Sequence, residues 1–436
     1  MRVPDDDAGR HLVTNPDVDA VVLTGSFDTA QLFLGWRPDP RLHAETSGKN
    51  ALVITAMADV DLAIRDLVKS AFGHAGQKCS AASLAIVEAG LYDDGAFLAR
   101  LRDAVLTLRV GAGADPSSDV GPLIGPPGPA LTRALTTLEA GETWLVEPSR
   151  LGRADGEYWT PGVKLGVGPG SWFHRTECFG PVLGVMRARD LDHAVEIQNA
   201  VDFGLTAGIH SLDGGEVARW IERVEAGNLY VNRGTTGAIV RRQPFGGWKR
   251  SAVGPTAKAG GPNYLATLQR WTDTDRPLAD VAAAYRRWMG DVGSVETDVT
   301  GLDAERNGFR YRPLPQGVVV RVAHGETQRS VDLVRLAAAA TGVDMQLSLA
   351  SDESDESDES DETFAARLAS LAVDRLRVLG PTSDAVRRAA HAAAVPLDDS
   401  APVGEPSIEL PRWLREQSIT VTRHRHGHPT VELTGR

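Results

Sequence analysis

The chain has 436 residues, enough for two or three domains with a sizeable core, and an ordinary globular composition. Eight of its acids fall in the run Ser351 to Glu362, so the formal charge of −12 leaves only −4 for the remainder, and no broad field points to nucleic acid or an anionic membrane. Two distant cysteines argue against a disulfide scaffold, the acidic Met1 to Asp7 stretch lacks the apolar core of a secretion signal, and no segment is apolar enough to span a bilayer, so the expected location is cytoplasmic.

Ala20 to Leu23 is a continuous apolar run ending in Thr24-Gly25-Ser26, which predicts a buried parallel strand opening through a turn into a helix. Ala51 to Ile54 predicts a second such strand. Asp59 or Asp61 is placed to cap a helix whose Ile64, Leu67, Val68, Ala71 and Phe72 keep helical spacing, and that helix delivers Gly76 to Cys79. Strand-like runs at Leu84 to Val87 and Asn228 to Val231 alternate with helices such as that around Leu191 to Ala200, which is α/β construction. Gly166 to Gly170 has no strand-to-helix frame of the right spacing and contains Pro169, so a simple turn is expected there, not a phosphate loop. Beyond Trp271, Gly317 to Val322, a helix near Val331 to Ala340, and Met345 to Leu349 predict a further small α/β unit. The four Ser-Asp-Glu repeats from Ser351 to Glu362 bury nothing apolar and repel one another, so a disordered insertion is expected. His424, His426 and His428 alternate as a metal-binding face of one strand would, but no acidic or cysteine partner lies nearby, and a solvated strand is the preferred reading, with no metal.

Gly76-Gln77-Lys78-Cys79-Ser80 sets a thiol beside a cation and small residues, surroundings that favour thiolate. A lone cysteine is more often a small buried hydrophobe. Three other segments shift the balance: Glu45-Thr46-Ser47-Gly48-Lys49-Asn50, Glu177-Cys178-Phe179-Gly180-Pro181-Val182 and Gln243-Pro244-Phe245-Gly246-Gly247.

At these residues the chain resembles the aldehyde dehydrogenase superfamily, from about Asp17 to about Trp271. Ser70 to Ser80 and Lys258-Ala259-Gly260-Gly261-Pro262-Asn263-Tyr264-Leu265 are similar to the branch that oxidises L-glutamate γ-semialdehyde, the open form of 1-pyrroline-5-carboxylate. The resemblance implies that Cys79 attacks the aldehyde, that the thiohemiacetal yields hydride to NAD, and that Glu45 activates the water that cleaves the thioester. It implies that Glu177 holds the nicotinamide ribose, that Phe179 packs on the cofactor, and that Gly25 and Ser26 meet its pyrophosphate region. Gly260 and Gly261, with Ser80, would anchor the substrate's α-carboxylate. Ser47 stands where the family usually has glycine, and its side chain is expected to crowd the turn against the nicotinamide.

The family carries a long segment ahead of the Thr-Gly-Ser turn, with further cofactor strands and an oxyanion-hole asparagine, where this chain has only the residues before Thr24; such a donor is worth ~10²–10³ in rate. Less specifically, Arg415-Glu416-Gln417 and His424 to Gly427 resemble the carboxy-terminal extension of long bifunctional proline-utilisation proteins. The expected fold is therefore an incomplete Rossmann-type cofactor domain plus a catalytic domain, followed by a smaller α/β domain. Residues 1–75 are assigned to the cofactor domain, 76–275 to the catalytic domain and 276–436 to a non-catalytic domain with the insertion 351–362. The expected function is NAD-dependent oxidation of glutamate semialdehyde in proline degradation. The rivals are a non-catalytic assembly module or pseudoenzyme, and a thiol esterase without nucleotide. The expected partners are the small-molecule substrate and either further copies of the chain or a separately encoded amino-terminal half, with neither nucleic acid nor membrane.

Overall fold

The computed structural model describes residues 7–38, 41–255, 257–350, 359–425 and 428–429. Contacts group them into two compact units, one of Ser47–Ser251, Asp298–Gly308 and Ser418–Arg436, the other of Met1–Thr46, Ala252–Thr297 and Phe309–Gln417. This is a different division from the functional one expected at 75 and 275.

The first unit is built on parallel strands in the spatial order Gly162–Leu165, Val182–Ala188, Ala82–Glu88, Asn50–Ile54, Thr206–His210, Asn228–Val231. Thr143–Val146 adds antiparallel at one side, and Ser418 to Val421 pair in parallel with Asn228–Val231 at the other. All five residues of Asn50–Ile54 are buried, as a strand covered on both faces requires, which is why its sequence runs apolar without alternation. Helices Val60–Phe72, Leu191–Asn199 and Gly214–Arg223 begin at Asp59, Asp190 and Asp213, each accepting from the amide three residues on; such caps contribute about 1 kcal/mol apiece. Because Asn50–Ile54 and Ala82–Glu88 are parallel neighbours, with Asn50 opposite Ala82, the segments that enter them lie side by side. Those segments are Ser47 to Lys49 and Gly73 to Ala81. Gly166 to Gly170 is the expected turn, with φ of 74° and 79° at its end residues.

In the second unit, Ala20–Thr24 pairs in parallel with Arg41–Glu45, which pairs antiparallel with Ala252–Val253. The fully buried strand expected at Ala20 is not found: the strand lies at the edge of its sheet, and Val22 is 62% exposed. Helix Phe27–Trp36 brings Ala30 onto Leu42 and Ala44, a core too small to cover the strand. The same unit holds a parallel sheet in the order Met345–Leu349, Val318–Val322, Arg375–Leu379, Leu397–Asp398, with helix Gln328–Thr341 following its first strand as expected.

Residues Ser351 to Asp358 of the Ser-Asp-Glu tract lie outside the described residues. Glu359 to Glu362 correct the expectation of a disordered insertion. Ser360 caps helix Asp361–Leu368, Glu359 accepts from Arg367 and Ser348 at 2.8 Å each, and Asp361 accepts from Arg321 at 2.7 Å. The buried Arg321 guanidinium requires a counter-charge, and the last repeat supplies it. His424–Arg425 pairs antiparallel with His428–Pro429, so the single strand that would set the three histidines on one face does not form; His426 lies outside the described residues.

Candidate active site

Helix Val60–Phe72 runs into a tight turn, Gly73–Gly76, in which His74, Ala75 and Gly76 take φ of 57°, 53° and 68°. Two successive non-glycine residues in the left-handed region cost about 1 kcal/mol or more each, a strain that persists only where the surroundings enforce it. A Cβ on Gly76 would lie 2.2 Å from the carbonyl oxygen of Gly180, so the turn abuts the segment carrying Glu177 and Phe179. A second turn, closed by the Ala81 amide on the Lys78 carbonyl at 3.0 Å, places Cys79 and Ser80 at its corners.

Side chains that the motif reading left without a role hold this turn. Asn50 Nδ2 donates to the Cys79 carbonyl at 2.7 Å and to that of Ala81 at 2.9 Å, while its Oδ1 accepts from the Thr206 amide at 3.0 Å. Thr235 Oγ1 donates to the Ser80 carbonyl at 2.9 Å. Gly48 lies against the Cys79 carbonyl: a Cβ there would come within 2.6 Å of its oxygen. Asn50 sits in the quoted motif, but its bonding is set by register between strands, which no local pattern displays.

The two cysteines differ. Cys79 is half-buried and not in a disulfide. Cys178 is buried, with Sγ on the Thr176 carbonyl at 3.6 Å, and burial pushes its thiol up, away from the thiolate. Of the two thiols, Cys79 is the more accessible.

Glu177 Oε1 accepts from the Gly48 amide at 2.9 Å, and the Ser47 hydroxyl also bonds its carboxylate. Burial pushes this carboxyl up, opposed by those two bonds and by the Lys49 charge. The Ser47 side chain is thus engaged with the carboxylate expected to hold ribose. Phe179 takes φ of 53° and is 39% exposed, an aromatic residue at the surface on a strained backbone. Lys49 is buried with its ammonium 4.0 Å from the centre of the Phe173 ring and, among the described residues, no hydrogen-bond partner. Burial pulls it down to about 8, against the charges of Cys178 and Glu177.

The second unit holds the other candidates. Glu45 ends its strand opposite Thr24, and its carbonyl accepts the Gly25 amide at 3.2 Å, which brings Gly25 beside the proposed base. Ser26 Oγ accepts the Thr29 amide at 3.0 Å and caps helix Phe27–Trp36. Gly260, with φ of 72°, and Gly261, whose amide donates to the Lys258 carbonyl at 2.9 Å, form a tight loop. Lys258 is buried and pulled down to about 8 by burial, with the carboxylates of Glu45 and Glu416 opposing. The structure thus gathers Cys79, Ser80, Glu177 and Phe179 in one unit, and Gly25, Ser26, Glu45, Gly260 and Gly261 in the other.

Residues 3–273 match the model of the aldehyde dehydrogenase family. A 1-pyrroline-5-carboxylate dehydrogenase of Geobacillus sp. (strain WCH70) is 38% identical over 269 residues, covering 59% of this chain and 51% of the relative. The corresponding protein of Bacillus subtilis (strain 168) is 36% identical over 275 residues, covering 60% and 52%. Among solved structures, Proline Utilization A from Corynebacterium freiburgense superimposes with a TM-score of 0.85 at 45% identity, over 98% of this chain and 44% of the other. A 1-pyrroline-5-carboxylate dehydrogenase from Thermus with bound NAD superimposes with a TM-score of 0.55 at 33% identity, over 60% of this chain and 51% of the other. The chain therefore spans about half the length of the curated relatives it matches.

Proposed function

The chain belongs to the aldehyde dehydrogenase family, and on that premise we propose that, together with the part of its relatives that it does not span, it oxidises L-glutamate γ-semialdehyde to L-glutamate in proline degradation. The observation that carries this reading is the fixing of the Cys79 turn by Asn50 and Gly48, with the Glu177 carboxylate on the amide of that same Gly48.

In this reading Cys79 Sγ bonds to the aldehyde carbon, and the carbonyl oxygen is protonated or held as an oxyanion. NAD, when bound, supplies the acceptor for the hydride that then leaves this carbon. A half-buried carboxylate near an exposed aromatic residue fits the nicotinamide ribose side of that cofactor, so Glu177 and Phe179 are its proposed holders, with Gly25 and Ser26 toward the pyrophosphate. Loss of the hydride, together with any proton on that oxygen, leaves a thioester on Cys79. Glu45 takes a proton from water, the hydroxide attacks the thioester carbon, and the C–S bond breaks to release the carboxylate and the thiol. Gly260, Gly261 and Ser80 grip the substrate's α-carboxylate through amides and a hydroxyl.

The test is NADH formation by the co-expressed assembly. Cys79→Ala should abolish it, whereas Cys178→Ser should cost less than about tenfold, since a buried thiol held protonated contributes packing alone. Undiminished turnover in Cys79→Ala would overturn the assignment.

A further inference from the structure

One carboxylate ties both ends of the glycine loop. Glu416, from strand Leu414–Thr422, is buried; its Oε2 accepts the Lys258 amide at 2.8 Å and its Oε1 accepts Asn263 Nδ2 at 2.8 Å. Asn263 Nδ2 also donates to the Tyr311 hydroxyl at 2.7 Å. Between the two anchored ends the Gly261 amide closes on the Lys258 carbonyl, so the tip with Gly260 and Gly261 has little freedom left. Among the described residues, Lys258 and Tyr311 are charged or titratable groups that face Glu416. Burial pushes Glu416 up and pulls Lys258 down, and each charge holds the other from shifting further.

A carboxylate suits this position because both oxygens accept at once. Glutamine presents an NH₂ to one of two donors and loses that bond. We propose that Glu416 is a positioning residue for the glycine loop, so that preference for an aldehyde bearing an α-carboxylate is set by a residue outside the family-matched segment 3–273. This rests on the reading of Gly260 and Gly261 as the carboxylate anchor.

The test measures kcat and KM of the co-expressed assembly with L-glutamate γ-semialdehyde and with propanal, which has no carboxylate. Glu416→Gln should raise KM for the semialdehyde about tenfold, the loss of one charge-assisted hydrogen bond, with kcat and the propanal constants changed less than about twofold. Asn263→Ala removes the bonds to Glu416 and Tyr311 from a half-buried side chain and should raise the same KM in the same selective way, which decides the matter if Glu416→Gln does not fold. An unchanged KM, or equal losses with both aldehydes, would overturn the proposal. Gly261→Val separates the two readings. If it leaves the preference between the aldehydes intact, the anchor itself is misassigned; if it abolishes that preference while Glu416→Gln and Asn263→Ala do not, only the role of Glu416 fails.

Discussion

Ser47 shows how one residue departs from a family pattern with a physical consequence. The sequence reading expected its side chain to crowd the turn, and the structure shows its hydroxyl bonded to Glu177. A ribose hydroxyl arriving at that carboxylate must share it with Ser47. Ser47→Gly should therefore tighten NAD binding by about fivefold, the value of one hydrogen bond worth ~1 kcal/mol; calorimetric titration of the co-expressed assembly checks it, and unchanged affinity would mean that Glu177 accommodates both partners. Lys49, three residues before the fully buried Leu52, is a different matter. Its ordinary value of 10.5 applies in the unfolded chain and about 8 in the fold, so between those pH values the unfolded state binds more protons and stability rises with pH. Lys49→Met should be the more stable protein at pH 7, by on the order of 1 to 3 kcal/mol, with the difference shrinking as pH approaches 10. Urea unfolding across that range is the measurement, and parallel pH profiles for the two proteins would show that the ammonium is not buried as described. Neither effect was legible in the sequence, because Glu177 and Phe173 reach these side chains from far along the chain.

At the scale of elements, apolar runs and caps were readable where a segment's burial is decided by its own residues. Asn50–Ile54, the helix after Asp59 and the strand–helix–strand from Val318 to Leu349 lie where the pattern put them. Reading failed where burial depends on neighbours. Ala20–Thr24 has the composition of a central strand but one partner, and the last Ser-Asp-Glu repeat looked solvated until Arg321 was found to need it. The Gly73–Gly76 turn is an intermediate case: its glycines were visible, the left-handed His74 and Ala75 between them were not. Gly76→Ala adds a Cβ at φ of 68° that would stand 2.2 Å from a backbone oxygen, so the turn must move. A loss of more than about 1 kcal/mol is expected from the dihedral alone. The alkylation rate of Cys79 by iodoacetamide should fall with it, because the thiol's turn follows directly. A variant with unaltered unfolding midpoint and alkylation rate would show that the Gly180 contact does not constrain the nucleophile.

For the whole molecule, the question is what half the length of its curated relatives can do. The thiol and the proposed base belong to different compact units, and the proposed cofactor contacts all lie on the nicotinamide ribose or the pyrophosphate side, none on the adenosine. Among the described residues, Ala20–Thr24 meanwhile lies at a sheet edge with an exposed valine, a surface that either pairs with another strand or promotes association. Both observations lead to one expectation. This chain by itself should bind NAD weakly, form little or no NADH and self-associate. Co-expression with the corresponding amino-terminal part of the Corynebacterium freiburgense protein, whose structure matches 98% of this chain, should restore cofactor binding and turnover together. Calorimetric NAD titration, NADH formation and sedimentation, each with and without that part, distinguish the possibilities. Normal binding and turnover by the lone chain would mean that the contacts described here suffice for the cofactor. Restored solubility without turnover would place the deficit in the chemistry of Cys79 and Glu45, since the exposed edge would then be covered and the remaining defect could not be one of folding.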